Sequence, residues 1–135
     1  MSRKYQALSA DGQRAKERLS PCIEKAVLLT ELTEERSDIA SRGFAEDQEL
    51  SACIDALFAD LVTARRTVGR LIHETPTLTS LERRVLRLRY LCADPWDAIC
   101  VRLCRERACV FSAYRRALNK VAATMDAWDE QGEAV

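Results

Sequence analysis

Between residues 50 and 71 the apolar side chains recur in alternating steps of four and three: Leu50, Ile54, Leu57, Leu61, Ala64, Val68 and Leu71. A seam of that period belongs to a helix that must lay one stripe against another helix. Asp55, Asp60, Arg65, Arg66 and Arg70 fall off the seam, Gly69 weakens the helix slightly, and Thr75-Pro76-Thr77 ends it. A second stripe precedes it, with Ala15, Leu19, Cys22, Ala26 and Leu29 on one face of a segment running from about Lys4 to Arg36. Pro21 interrupts that segment, since a proline inside a helix costs about 3 kcal/mol. The expectation is therefore that Ser20 caps a helix starting at Pro21, with a short helix or kink before it. Residues 38–46, which include Gly43, lose the periodicity and read as a connection. Two striped helices so joined predict an antiparallel hairpin, closed inside the chain, or a coiled coil that zips two copies into a homodimer.

Composition narrows the fold to all-α. Four Gly and three Pro in 135 residues are too few for an all-β chain full of turns. With 47% apolar and 31% charged residues the chain is globular, and its length fits one domain or a small domain with a helical extension. No run approaches the roughly twenty apolar residues of a membrane span, and Met1-Ser2-Arg3-Lys4 leads into no secretory core. The expected location is the cytoplasm, where the six cysteines would remain thiols.

The formal charge is zero, but it is unevenly placed: residues 1–80 sum to −2, residues 81–120 to +6 and residues 121–135 to −4. A basic block of that length predicts a polyanion-binding face, against the plainer reading of a solvated arginine-rich helix. Within it, Thr79 and Glu82 stand in capping-box spacing, opening a helix that reaches about Cys92. Asp94-Pro95-Trp96-Asp97 reads as a second start, with Asp94 as cap and Pro95 first in a helix ending at Leu103. After a break at Cys104-Arg105-Glu106, a last helix runs from Arg107 to about Trp128, followed by an acidic tail over residues 129–135 that should be disordered. Short helix, turn and long helix make the helix-turn-helix layout. Ile99, Leu103, Val110, Ala113, Ala117 and Leu118 supply its apolar positions, with the small Cys100 at the helix crossing. Arg107, Ser112, Arg115, Arg116 and Asn119 lie off the stripe, where phosphate neutralisation and groove contact need them.

The run from Leu78 through Thr79, Leu81, Glu82, Arg83, Arg84, Val85, Leu86, Arg87, Leu88 and Arg89 to Tyr90, with Trp96-Asp97-Ala98-Ile99 and Tyr114-Arg115-Arg116-Ala117-Leu118-Asn119-Lys120-Val121, resembles sigma-70 region 4. It is most similar to phage-encoded sigma-like transcription regulators of the ArpU/RinA type. The resemblance covers residues 78–121, and the stripes before residue 75 match it in pattern only. It implies a helical hairpin or coiled-coil region over residues 1–75 and a helix-turn-helix DNA-binding domain over residues 76–128. It further implies double-stranded DNA as partner, activation of phage or prophage late genes in a bacterial host, and contact with RNA polymerase. The DNA-binding positions it indicates are Arg105, Arg107, Ala108, Cys109, Ser112, Arg115, Arg116 and Asn119. Four residues depart from the pattern. Cys104 replaces the usual turn glycine, Arg105 an apolar turn residue, and Ala108 and Cys109 offer thymine methyls contact in place of bidentate hydrogen bonds.

Other chemistries find less in the sequence. Cys100, Cys104 and Cys109, with Cys92 upstream, have spacings that invite a zinc site, but Cys100 is needed as the small packing residue and His73 is remote. One histidine and no phosphate loop or nucleophile signature argue against an enzyme, and no cofactor is indicated. The rival reading is a non-enzymatic helical interaction protein, whose basic half docks an acidic protein such as a polymerase subunit without reading bases.

Overall fold

The structure, a computed structural model, describes residues 8–132. It is all-α: α1 spans Ala10–Ser41, α2 Gln48–His73, α3 Ser80–Leu86 with a π-helical continuation over Arg87–Leu91, α4 Trp96–Leu103 and α5 Arg107–Glu130. Lys4 to Ala7 of the expected first helix, and residues 133–135 of the expected tail, lie outside the described residues.

Helix α1 continues without interruption through Pro21, which corrects the expected start there. The cap is Ser9, whose Oγ accepts from the Gly12 amide at 3.0 Å, while the Ser20 hydroxyl turns back to the Lys16 carbonyl at 2.7 Å. Ala15 and Leu19 before the proline, and Cys22 and Ala26 after it, are all buried on one stripe. Burying such side chains contributes about 1.5–3 kcal/mol for each large one, enough to outweigh the single hydrogen bond that an exposed proline removes. The helix also runs on to Ser41, so the connection is residues 42–47, shorter than the periodicity implied. Gly43 takes a positive φ of 81° just past the α1 terminus, and Asp47 caps α2 by accepting from the Leu50 amide.

The two helices form an antiparallel hairpin, and the α2 seam closes inside the chain. Ile54, Leu61, Val68 and Leu71 are buried, and Leu50, Leu57 and Ala64 half-buried. Only the lower hairpin joins the main core. Ala15 to Ala26 of α1 and Leu61 to Ile72 of α2 share one apolar cluster with Leu78, Val85, Leu86, Tyr90, Ile99 and the inner face of α5. The core therefore does not divide at residue 75. Above Ala26 and Leu61 the hairpin leaves it, and α1 continues for fifteen further residues to Ser41, about 22 Å of helix.

The expected capping box is present: the Glu82 amide donates to Thr79 Oγ1 (3.1 Å) and the Thr79 amide to Glu82 Oε1 (2.9 Å). Asp94 does not cap α4, which begins one residue later with Pro95 in the cap position. Its carboxylate instead pairs with Arg102 Nε at 3.1 Å, back along α4. Nor does the acidic tail begin at Asp129. Asp129 and Glu130 are the last residues of α5, and Asp129 is ion-paired with Arg18 of α1. Among the described residues no helix is long and apolar enough to cross a membrane.

Candidate nucleic-acid interface

Helix α4, three turn residues and α5 form the short-helix, turn, long-helix layout. The turn is a Schellman motif: the Arg105 amide donates to the Cys100 carbonyl (3.1 Å) and the Cys104 amide to the Val101 carbonyl (3.2 Å). Closing it puts Cys104 in the left-handed region at φ 53°, ψ 44°. That conformation suits glycine, and a side chain there costs about 1–2 kcal/mol.

Aromatic packing fixes the two helices to each other. Trp96 at the start of α4 has its ring 4.6 Å from Phe111 and 4.7 Å, edge-on, from Tyr114, and the Arg89 guanidinium stacks 4.6 Å above it. The Tyr114 hydroxyl meets that of Tyr90 at 2.7 Å, both rings being buried. Burial disfavours either phenolate and pushes both pKa values up. The π turn brings Tyr90 there: by bonding the Cys92 amide to the Arg87 carbonyl it lets one extra residue into the helix. No proline or glycine marks that insertion in the sequence.

Helix α5 buries Val110, Ala113, Tyr114, Ala117, Leu118 and Val121 along one arc. Its opposite arc carries the sequence candidates, but their surroundings differ. Arg105 in the turn is exposed, Arg115 is half-buried, and neither guanidinium has a partner among the described residues. Arg107 is 58% exposed, paired with Asp97 at 2.6 Å, and lies over the Phe111 ring. Ala108 is exposed and Cys109 half-buried. Ser112 accepts from Arg116 Nη1 at 2.8 Å, while Arg116 Nε donates to Glu82 at 2.9 Å. Asn119 is turned to a structural task. Its Oδ1 accepts from the Ser9 hydroxyl at 2.6 Å, and a Cβ on Gly12 would come within 2.9 Å of that oxygen. Glycine at position 12 thus lets the start of α1 approach α5 closely.

The Asn119 contact sets the limit of the open face. Helix α1 runs beside α5 in the same direction, with Ser9 against Asn119, Arg14 against Asp126 and Arg18 against Asp129. It covers α5 from Asn119 onward and leaves the turns from Arg107 to Arg116 uncovered, about 15 Å of helix.

Glu82, which sequence reasoning placed only as a cap, stands behind this face of α5. Its carboxylate is completely buried, yet it accepts from Arg116 Nε, from Lys120 Nζ (2.7 Å) and from the Thr79 amide. Burial works against its charged form, but the bonds from Lys120, Thr79 and Arg116 prevail and hold its pKa below the usual glutamate range. One carboxylate so fixes two cations of α5. The pairings span 34 and 38 residues, and no local pattern announces them.

The six cysteines are free thiols, and no three His, Cys, Asp or Glu side chains converge on a metal-sized site among the described residues. The arrangement is one of guanidinium groups, small side chains and a rigid helix, suited to binding an anionic surface. Comparison with known proteins finds no matching family model, no matching curated protein and no matching solved structure.

Proposed function

We propose that this chain is a DNA-binding transcription regulator that lays the first turns of α5 in the major groove of a duplex. The reading follows the sigma-70 region 4 resemblance and, with it, a role as a phage or prophage late-gene activator that also contacts RNA polymerase in the host cytoplasm. The observation that carries it is the outer arc of Arg107–Arg116, which α1 leaves uncovered and a Schellman turn precedes, with the guanidinium groups of Arg105 in that turn and Arg115 on that arc, neither of which has a partner among the described residues. Recognition helices contact base edges with their amino-terminal residues, and those are the turns α1 leaves open. Ala108 and Cys109 at the centre of this face favour apolar contact with thymine methyls, so phosphate contacts supply most of the affinity.

Salt titration of duplex binding tests the assignment. Wild-type affinity should fall with a log–log slope of roughly one unit per phosphate contacted, and replacing Arg107, Arg115 and Arg116 together by Ala should flatten it by about three units. A triple variant that keeps both affinity and slope removes α5 from the duplex. The basic half would then be a docking face for an acidic protein.

A further inference from the structure

We propose that two copies pair antiparallel about a two-fold axis, the acidic hairpin arm of each lying against the basic helix-turn-helix end of the other. The arm, residues 27–60, holds nine carboxylates and two basic residues, and every one of those carboxylates is exposed. Residues 81–120, which carry the helix-turn-helix, hold ten basic and four acidic residues. A neutral chain thus carries −7 in its arm and +6 in the segment that holds the helix-turn-helix. Its own arm cannot neutralise its own basic end, because α1 runs with α5 and leads away from Arg107.

The arm is also the part of the molecule with unpartnered apolar surface. Val27, Leu28, Phe44 and Phe58 are between 44% and 65% exposed, and among the described residues they are four of the five large apolar side chains that are so exposed. A cleft of about 470 Å³ near its tip is lined by Ile39, Phe44 and Leu50 together with Arg36, Glu46 and Asp47. The fifth such side chain, Val101 at 76%, sits on α4 at the basic end, four residues before Arg105, which has no partner among the described residues. Apolar and charged counterparts therefore both occur on this chain. Pairing two arms with each other would bring two net charges of −7 together, which opposes a dimer built from the hairpins alone. The antiparallel arrangement makes both complementary contacts in one symmetric step and closes without further growth. Its formation needs only the two charged ends. Its consequence, that a partner copy and a duplex compete for the same arginines, rests on the DNA-binding reading above.

Light scattering on the full chain tests the pairing. At about 20 mM salt, where charges act over tens of ångströms, the mass should rise with concentration to twice the 15.3 kDa of one chain, and at about 300 mM it should return to one. A variant with Glu31→Lys, Glu34→Lys and Glu35→Lys should stay single, as should one with Arg105→Glu and Arg115→Glu. These positions are exposed or half-exposed, and circular dichroism checks that each variant is folded. Mixed in equal amounts, the two variants should pair again, since each arm then meets an end of opposite charge. A chain that remains single at low salt and high concentration overturns the proposal. So does a dimer insensitive to both variants but lost on Phe58→Ser, which would be an apolar arm-to-arm pair. Short duplex added to the wild-type dimer should dissolve it. Pairing that survives saturating duplex leaves the dimer standing and refutes the competition, whereas salt-dependent duplex binding by a chain that never pairs refutes the dimer alone.

Discussion

At the scale of single residues, two positions carry strain or charge that can be measured. Cys104 holds a left-handed conformation without glycine, so Cys104→Gly should stabilise the fold by about 1 kcal/mol, less the backbone entropy that glycine adds to the unfolded chain. Urea unfolding of the two proteins gives the difference directly. A destabilised glycine variant would mean that the cysteine side chain contributes contacts worth more than the strain. Glu82 carries a pH dependence of definite sign. Its pKa is lowered in the folded chain, so its stabilisation is fully present above the unfolded value and disappears as pH falls through the folded one. Wild-type stability should therefore drop below about pH 4, and Glu82→Gln, which keeps an acceptor for the Thr79 amide, should flatten that acid limb. Glu82→Ala removes the acceptor for the Thr79 amide and for Lys120 and Arg116, whose cations water can still solvate, and should cost about 1–3 kcal/mol at neutral pH. An unchanged acid limb in the Gln variant would assign the titration to other carboxylates, Asp126 beside Arg14 first among them.

At the scale of elements, Pro21 separates what local pattern can tell from what it cannot. The four-three spacing of Leu50 to Leu71 and of Ala15 to Leu29 was sufficient to read both hairpin helices, because a stripe is a local property of sequence. The capping box at Thr79 and the start of α5 at Arg107 were legible for the same reason. Whether a proline breaks a helix is not local, since it depends on how much apolar surface the helix buries on either side. Here Leu19 and Cys22 both lie in the core, and the helix continues. Pro21→Ala should consequently stabilise the protein, by up to about 3 kcal/mol, as the missing amide returns to a helix already formed. Thermal unfolding would show it, and an unchanged midpoint would mean that the solvated ring already compensates through the unfolded state. The π turn and the Asn119 latch escaped sequence reading on the same ground. Neither is encoded by a nearby residue: one is selected by the buried Tyr90–Tyr114 contact, the other by a serine 110 residues away.

At the scale of the whole molecule, one core with a projecting arm implies two levels of stability in a single chain. Leu61 is 1% exposed where the hairpin enters the core, and Phe58, one turn earlier, is 55% exposed. Leu61→Ala should cost about 2–5 kcal/mol through lost burial and the cavity left behind, whereas Phe58→Ser should stay within about 0.5 kcal/mol. Amide hydrogen exchange resolves the same division along the backbone. Residues Leu61 to Ile72 are anchored by α1, by the π-helical continuation of α3 and by α5 together and should exchange only through global unfolding. Residues 48–57 have only α1 beside them, and a two-helix contact so short opens at a lower free energy, so they should exchange faster, at a rate that denaturant changes little until global unfolding overtakes it. If the arm is held by a second copy at low salt, that protection should rise with protein concentration and fall when salt is added. Uniform protection from residue 48 to residue 72 in dilute protein would show that the hairpin is one rigid unit, and the arm would then have no stability separate from the core.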